Sequence, residues 1–496
     1  MSFILCEVHL QKSFVKCANQ RGKSLRKCAS ICYNIRERIR EYMKRDILSQ
    51  INEWNSSGSQ RKPLIMMGAR QVGKTWLMKA FAEERYPNDT VFVDFRDDET
   101  LCNAIEDGRV DAIGILELIS AATGRKIVPG RTLLLLDEIQ ESPKTLASLK
   151  YFHEKKPELA VIAAGSLLGL ALNRNDRRRT KVAERKVSFP VGKVNFMEIP
   201  PMTFCEFLDA VGEGEKRRRI EERAWPVIGA LHEAYSELLK RYYFVGGMPE
   251  AVSVYSSEHD FVAVRKVQEE ILLAYDKDFA KHAPPSLLPK IRLLWNAIPG
   301  QLAKENKKLV YRALRPGARA RDYETALQWL EDAGMIHQIH RVSRPGMPLK
   351  AYEDFSAFKL YAHDVGLLAA MSAIPQRTII EGNELFTHFK GALTEQFVLE
   401  ELVSRGVRPY YWATDEGMAE VEFVAQGEEA VYPIEVKAER NLQAKSLKSY
   451  IDRFAPSKSL RVSLSEHGVG KSIDEIPLYA VGSIVDDYLD GAGTEE

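Results

Sequence analysis

The chain has 496 residues, 45% of them hydrophobic and 28% charged, with a formal net charge of +1. At about 100–200 residues per domain this length holds about three domains, and the near-neutral balance excludes a molecule that binds polyanions over its whole surface, so any nucleic-acid face is a local patch. No apolar run is long enough to cross a bilayer, and six cysteines without paired C-x-x-C spacing point to a reducing, cytoplasmic setting rather than a disulfide framework.

Residues 1–42 hold Cys6, Cys17, Cys28 and Cys32 and are rich in Lys and Arg but poor in acid. Cys28-x3-Cys32 lacks the second ligand pair of a zinc site. The segment reads as a disordered accessory extension, with a basic targeting peptide as the alternative, and Met43 is a natural start for the globular part. Strands and helices then alternate. Pro63–Met67 is expected as a strand, Thr75–Arg85 as a helix, Thr90–Phe95 as a strand and Asp111–Thr123 as a helix. Arg131–Leu136 is a wholly apolar strand, Pro143–Glu154 a helix and Leu159–Ala164 a strand. Apolar strands separated by helices mark a parallel sheet covered on both faces.

A charged stretch, Asn173–Lys181, follows, then a helix around Phe204–Ala210 and charged helices through 215–285. Residues 287–339 read as helix, basic turn and helix (Asp322–Ala333), with short strands around Pro345–Pro348, a pattern compatible with a winged helix-turn-helix. The last part runs helix Leu393–Arg405, strands Tyr410–Trp412, Glu420–Ala425 and Ala430–Lys437, helix Ser446–Phe454 and strand Ser459–Ser463.

Between the first strand and the helix after it, Gly68-Ala69-Arg70-Gln71-Val72-Gly73-Lys74-Thr75 matches G-x-x-x-x-G-K-[ST]. Glycines let the backbone N–H groups turn towards phosphate oxygens, and the helix N-terminus adds its positive dipole end. Lys74 is expected to reach the β- and γ-phosphates of ATP and Thr75 to ligate Mg2+. The third strand ends in Asp137-Glu138. An acid at the end of a buried strand is costly unless a cation or donor compensates, so Asp137 is expected to hold the magnesium and Glu138 to act as general base towards water. Ser166, at the end of the fourth strand, is placed to sense the γ-phosphate.

These motifs, with Ala-Gly-Ser-Leu-Leu-Gly, Phe-Pro-Val-Gly-Lys, Gly246-Gly-Met-Pro249 and the C-terminal half, resemble bacterial and archaeal AAA-type P-loop ATPases. Those proteins carry a C-terminal domain of unknown function with a restriction-endonuclease-like core. The resemblance runs from about residue 43 to the end. It implies an α/β fold: a P-loop NTPase parallel sheet, then a helical and winged-helix region, then a restriction-endonuclease-like α/β domain. The boundaries expected are 1–42 for the extension, 43–240 for the ATPase, 241–345 for the helical and winged-helix region and 346–496 for the nuclease-like domain. The basic stretch Arg177–Arg179 departs from the family pattern. Arg177–Arg179, Arg185 and Lys193 are candidate arginine-finger or finger-like residues, from this chain or from a neighbouring copy in a homo-oligomer.

In the last domain, Glu395 on a helix, Glu422 on a strand and Glu435-Val-Lys437 at the end of the next form a restriction-type nuclease arrangement. Carboxylates would hold a divalent metal and the lysine would position water; the usual acid at the place of Glu422 is Asp. Glu435 and Lys437, two apart on a strand, face the same side. Basic residues in Lys304–Lys308 and Arg312–Arg321 offer phosphate contacts, with DNA as the candidate partner. The expected function is a Mg2+-dependent ATPase coupled to nucleic-acid binding or processing. The alternative is an ATP-gated switch that binds protein partners through an inactive nuclease-like domain.

Overall fold

The computed structural model describes residues 43–166, 168, 192–304, 307–381, 387–415, 417–439 and 445–489. The N-terminal extension, Arg177–Arg179 and Arg185 lie outside the described residues. The rest divides into two compact units, Arg45–Ile199 with Asp332–Gly334, and Pro200–Glu331 with the described residues from Met335 on.

The first unit runs α1 (Ile47–Ser56), β1 (Leu64–Met67), α2 (Lys74–Arg85), β2 (Thr90–Asp94), α3 (Glu99–Asp107), α4 (Ala112–Thr123), β3 (Leu133–Asp137), α5 (Pro143–Lys155), β4 (Ala160–Ala164) and β5 (Asn195–Glu198). All five strands are parallel, in the order β2-β3-β4-β1-β5. β3 and β4 bury every residue, which is why their sequences show no alternation: helices cover both faces of the sheet. Helices start where the chain supplies a cap or a preset φ. Asp98 accepts from the Leu101 amide and Asp111 from that of Gly114, and Pro143 opens α5. In this register the loop after β1, Asp137-Glu138 after β3 and Ser166 after β4 gather at the carboxyl edge of the sheet, where open α/β sheets bind ligands.

In the second unit the helices come first: α6 (Phe204–Ala210), α7 (Gly214–Glu221), α8 (Trp225–Ala230), α9 (His232–Val245), α10 (Pro249–Glu258), α11 (Phe261–His282) and α12 (Leu288–Leu302). A short α13 (Tyr311–Leu314) and α14 (Glu324–Asp332) lead into β6 (Ile336–Val342) and β7 (Glu353–Ala362), an antiparallel pair with a register shift between His340 and Arg341. Then come α15 (Val365–Met371), α16 (Gln376–Glu381), α17 (Thr387–Ser404), β8 (Tyr410–Ala413), β9 (Glu420–Gln426), β10 (Val431–Val436), α18 (Lys445–Phe454), β11 (Ser459–Ser463), β12 (Ile473–Pro477) and α19 (Val481–Leu489). One mixed sheet collects these strands in the order β12-β11-β10-β9-β8-β6-β7.

The Gly-Gly-Met-Pro turn locks this unit together. Gly246 ends α9 with φ 73°, a left-handed conformation that suits glycine, and Pro249 opens α10. Between them the Gly247 amide donates to Asp364 Oδ2 at 2.6 Å, and the Gly247 carbonyl accepts from the Met202 amide at 2.7 Å. A Cβ at Gly247 would overlap the Met202 carbonyl oxygen. Gly247→Ala is therefore expected to destabilise the unit by about 1–3 kcal/mol, read as a lowered midpoint in chemical denaturation; an unchanged midpoint would show that the backbone yields.

Candidate functional site

The loop between β1 and α2 has the backbone its glycines allow. Gly68 sits at φ 131° and Gly73 at φ 93°, and a Cβ at Gly68 would overlap the Ile199 carbonyl oxygen. Gln71 takes a positive φ of 70°. The Arg45 guanidinium donates to the Val72 carbonyl at 3.0 Å and ties the loop to the segment that leads into α1. The Lys74 ammonium turns onto the loop, donating to the carbonyls of Gly68 (2.8 Å) and Ala69 (2.7 Å). Burial pushes its pKa down to about 8, against the upward pull of Glu138 and Asp137. An ammonium held this way, short of charge partners, is prepared for an anion.

The Thr75 hydroxyl donates to Asp137 Oδ2 at 2.6 Å, so the loop and the end of β3 meet. Burial raises Asp137 above the usual carboxylate range, and the Thr75 hydrogen bond opposes that rise. Beside it Glu138 takes a left-handed backbone (φ 49°) and is met by two groups, the Arg96 guanidinium at 2.6 Å and the Gln140 amide at 2.5 Å. Ser166 is buried where β4 ends. Lys193 pairs with Glu154 at 3.4 Å, both half-exposed. A hydroxyl and a carboxylate side by side at a helix N-terminus are the hard oxygen donors that magnesium takes, so these residues fit that ion together with a nucleotide.

The C-terminal constellation is arranged differently from its sequence pattern. Glu422, Glu435 and Lys437 do come together: Lys437 Nζ lies 2.6 Å from Glu435 and 3.9 Å from Glu422, and Glu422 accepts from the Val436 amide at 3.0 Å. Burial, with the neighbouring Glu435 adding to it, pushes Glu422 up, against the pull of Lys437. Glu395 belongs to a second group. It makes an ion pair with Lys307, accepts from the Tyr361 hydroxyl at 3.1 Å and lies 3.9 Å from Lys359. Burial raises Glu395, but Lys307 and Lys359 outweigh that and hold it below its ordinary value. Lys359, fully buried, pairs with Glu420 at 2.5 Å. Among the described residues no three His, Cys, Asp or Glu side chains converge closely enough to hold a metal ion. The expected carboxylate cage is thus filled by the chain's own lysines, and its residues do not fit a metal in this arrangement.

Sequence reasoning passed over Arg96, Gln140, Lys359, Tyr361 and Glu420. Lys359 carried a signal: a lysine in the apolar run Phe358–Ala362 has to find an acid. Lys307 had been grouped with a basic surface, whereas its ammonium turns to Glu395. Arg312, Arg315, Arg319 and Arg321 are exposed.

Comparison with known proteins agrees with this geometry in the first unit. Residues 60–208 match a family model described as AAA domain, and residues 236–378 and 390–481 match two domains of unknown function, DUF8612 and DUF4143. No curated protein matches the chain. Among solved structures, the Walker-type ATPase of Pyrococcus abyssi is 15% identical, with 66% of this chain and 96% of that one covered, at a TM-score of 0.40. The Orc1 protein of Aeropyrum pernix, solved in complex with DNA, is 14% identical, with 66% and 91% covered, at a TM-score of 0.26. A signal-transduction ATPase with numerous domains from Pyrococcus horikoshii, bearing a tetratricopeptide-repeat sensor, is 15% identical, with 71% and 45% covered, at 0.23. Among the described residues no helix is long and apolar enough to cross a membrane. Residues 60–208, which hold the P-loop, thus match an AAA domain, and they are followed by two regions that match families of unknown function.

Proposed function

We propose that this protein is a cytoplasmic Mg2+-dependent ATPase that couples ATP hydrolysis to nucleic-acid binding or processing by its second unit. The hydrogen bond between Thr75 and Asp137 carries the catalytic half of this reading, because it brings the end of β3 to the phosphate-binding loop. The loop amides and Lys74 would bind the β- and γ-phosphates, and Thr75 and Asp137 would hold magnesium, whose charge neutralises the phosphate oxygens when bound. Glu138 takes the proton of the attacking water once its carboxylate leaves Arg96. An arginine from this chain or a second copy in a homo-oligomer completes the charge balance.

The nucleic-acid half rests on α12, α13 and α14 followed by the β6–β7 hairpin, the order of a winged helix. The outward residues of α14 are Glu324, Thr325, Gln328 and Glu331. Two acids there repel phosphate, so the contact surface is the turn bearing Arg312, Arg315, Arg319 and Arg321. A specific observation also favours the second reading, a switch whose nuclease-like domain does not cut: Lys307, Lys359 and Lys437 already neutralise its carboxylates. Phosphate release from ATP with Mg2+, with and without duplex or single-stranded DNA, separates the two. A Lys74-dependent rate raised several-fold by DNA, and no longer raised after Arg315→Glu and Arg319→Glu, is the expected outcome. A Lys74-dependent rate indifferent to DNA overturns the nucleic-acid half and favours a protein-binding switch.

A further inference from the structure

The two oxygens of the Glu138 carboxylate are held by groups of different kinds. Oε1 takes the Arg96 guanidinium at 2.6 Å, and Oε2 takes the Gln140 side-chain amide at 2.5 Å. Arg96 lies just past the end of β2, and its side chain is 35% exposed, so water can receive the guanidinium when it lets go. Gln140 has no such retreat. It belongs to the tight turn Ile139–Glu141 after β3, next to the fully buried Ile139. A carboxylate only accepts hydrogen bonds, so the amide nitrogen faces Glu138 and the amide oxygen faces the other way. There the oxygen meets Gly165, the buried residue between β4 and Ser166, where a Cβ would overlap it. Among the described residues that oxygen is buried and has no hydrogen-bond partner.

A buried amide oxygen left without a donor costs free energy. Turning the amide over would not help, since it would set an oxygen against the carboxylate. The cost thus accompanies a donor kept on Glu138 Oε2. We propose that Gln140 is a positioning residue for the general base: it keeps hold of Glu138 Oε2 while Arg96 releases Oε1 to the attacking water. One oxygen is freed and the other stays anchored, so the carboxylate meets the water in one orientation instead of swinging free. The amide is wedged between Glu138 and Gly165, so the end of β4, with Ser166, bears on the same carboxylate. This inference rests on reading Glu138 as the base.

The test is ATP turnover and labelled-ATP binding by the full-length protein with Mg2+, for Gln140→Met, Glu138→Gln and the two together. Methionine keeps the bulk of the side chain against Gly165 but cannot donate to Glu138. Gln140→Met is expected to lower kcat on the order of 10²-fold, the scale of loss when a reacting group is misplaced by about 1 Å, with ATP affinity nearly unchanged. In the Glu138→Gln background it is expected to cost nothing further, because a residue that acts through the base has no base left to orient. Gln140→Met at the wild-type rate, with Glu138→Gln slow, overturns the positioning role and leaves the base standing. The same fold-loss with and without Glu138→Gln, or a loss of ATP affinity that accounts for the slower turnover, also overturns it, since Gln140 would then act by a route of its own. Glu138→Gln at the wild-type rate overturns the base and the positioning role together.

Discussion

Replacing Glu138 by Gln is expected to slow ATP turnover by about 10²–10⁴-fold, the usual contribution of a positioned general base, while leaving ATP affinity nearly intact. Glutamine keeps the size of the side chain and its hydrogen-bonding reach but cannot accept a proton from water. The groups proposed to bind phosphate lie elsewhere, on the loop amides, Lys74 and Thr75, so binding and chemistry are expected to separate. The pair with Arg96 at 2.6 Å sharpens the point: the same carboxylate cannot serve a guanidinium and a water proton at once, so the proposed base has to leave Arg96 before it acts. Phosphate release and labelled-ATP binding measured on the same preparation decide the matter. Turnover at the wild-type rate by Glu138→Gln would move the base to another residue.

Lys359→Ala is expected to cost about 3–5 kcal/mol of stability, because removing one member of a buried ion pair strands the other. The ammonium lies 2.5 Å from Glu420, 3.9 Å from Glu395 and 4.9 Å from the centre of the Tyr411 ring, with no exposure. Burial lowers its pKa, but Glu420, Tyr361, Glu395 and Glu422 outweigh that and raise it well above the ordinary lysine value. A raised lysine contributes its stability in full below the unfolded pKa and loses it only as pH climbs through the folded one, so the pair is intact across the neutral range. Acid is the direction that weakens it. Glu395 is held below its ordinary value, and its contribution fades as pH falls through that lowered pKa. Urea denaturation of Lys359→Ala alone and with Glu420→Gln provides the measurement. The double variant is expected to recover part of the loss, and a single variant as stable as wild type would show that the ammonium contributes nothing net.

The two units differ in how far their chemistry was legible beforehand. Strands β1 to β4 stand within a few residues of their expected places because each is a short apolar run bounded by turn residues, the pattern of a covered parallel sheet. β5 was not anticipated: Asn195–Glu198 is mostly exposed and holds a single apolar pair, and only pairing with β1 makes it a strand. In the last part the helix–strand order was legible as far as β11, while β12 and α19 were missed, since Ile473-Asp-Glu-Ile-Pro is short and broken by charge. The loop residues Gly68 to Thr75 are contiguous, so one motif names them all. The C-terminal acids are not. Spacing within a strand put Glu435 beside Lys437, but no local pattern says that a lysine from the segment after α12, or one from β7, comes to lie against Glu395. Such pairings depend on long-range packing, and sequence offers only the hint that a charge in an apolar run needs a partner.

The seven-stranded sheet crosses the gap between the two regions that resemble families of unknown function. β6 and β7 fall within residues 236–378, whereas β8, β9 and β10 fall within 390–481, and β6 hydrogen-bonds directly to β8 through Arg341–Tyr411 and Val342–Trp412. A gene fragment that began at residue 390 would leave β8, with its Tyr-Tyr-Trp run, as a bare sheet edge, the sort of surface that recruits other chains into aggregates. Lineages that shuffle protein modules would therefore be expected to pass these two stretches on together, and a search for either alone would be searching for half of one inherited piece.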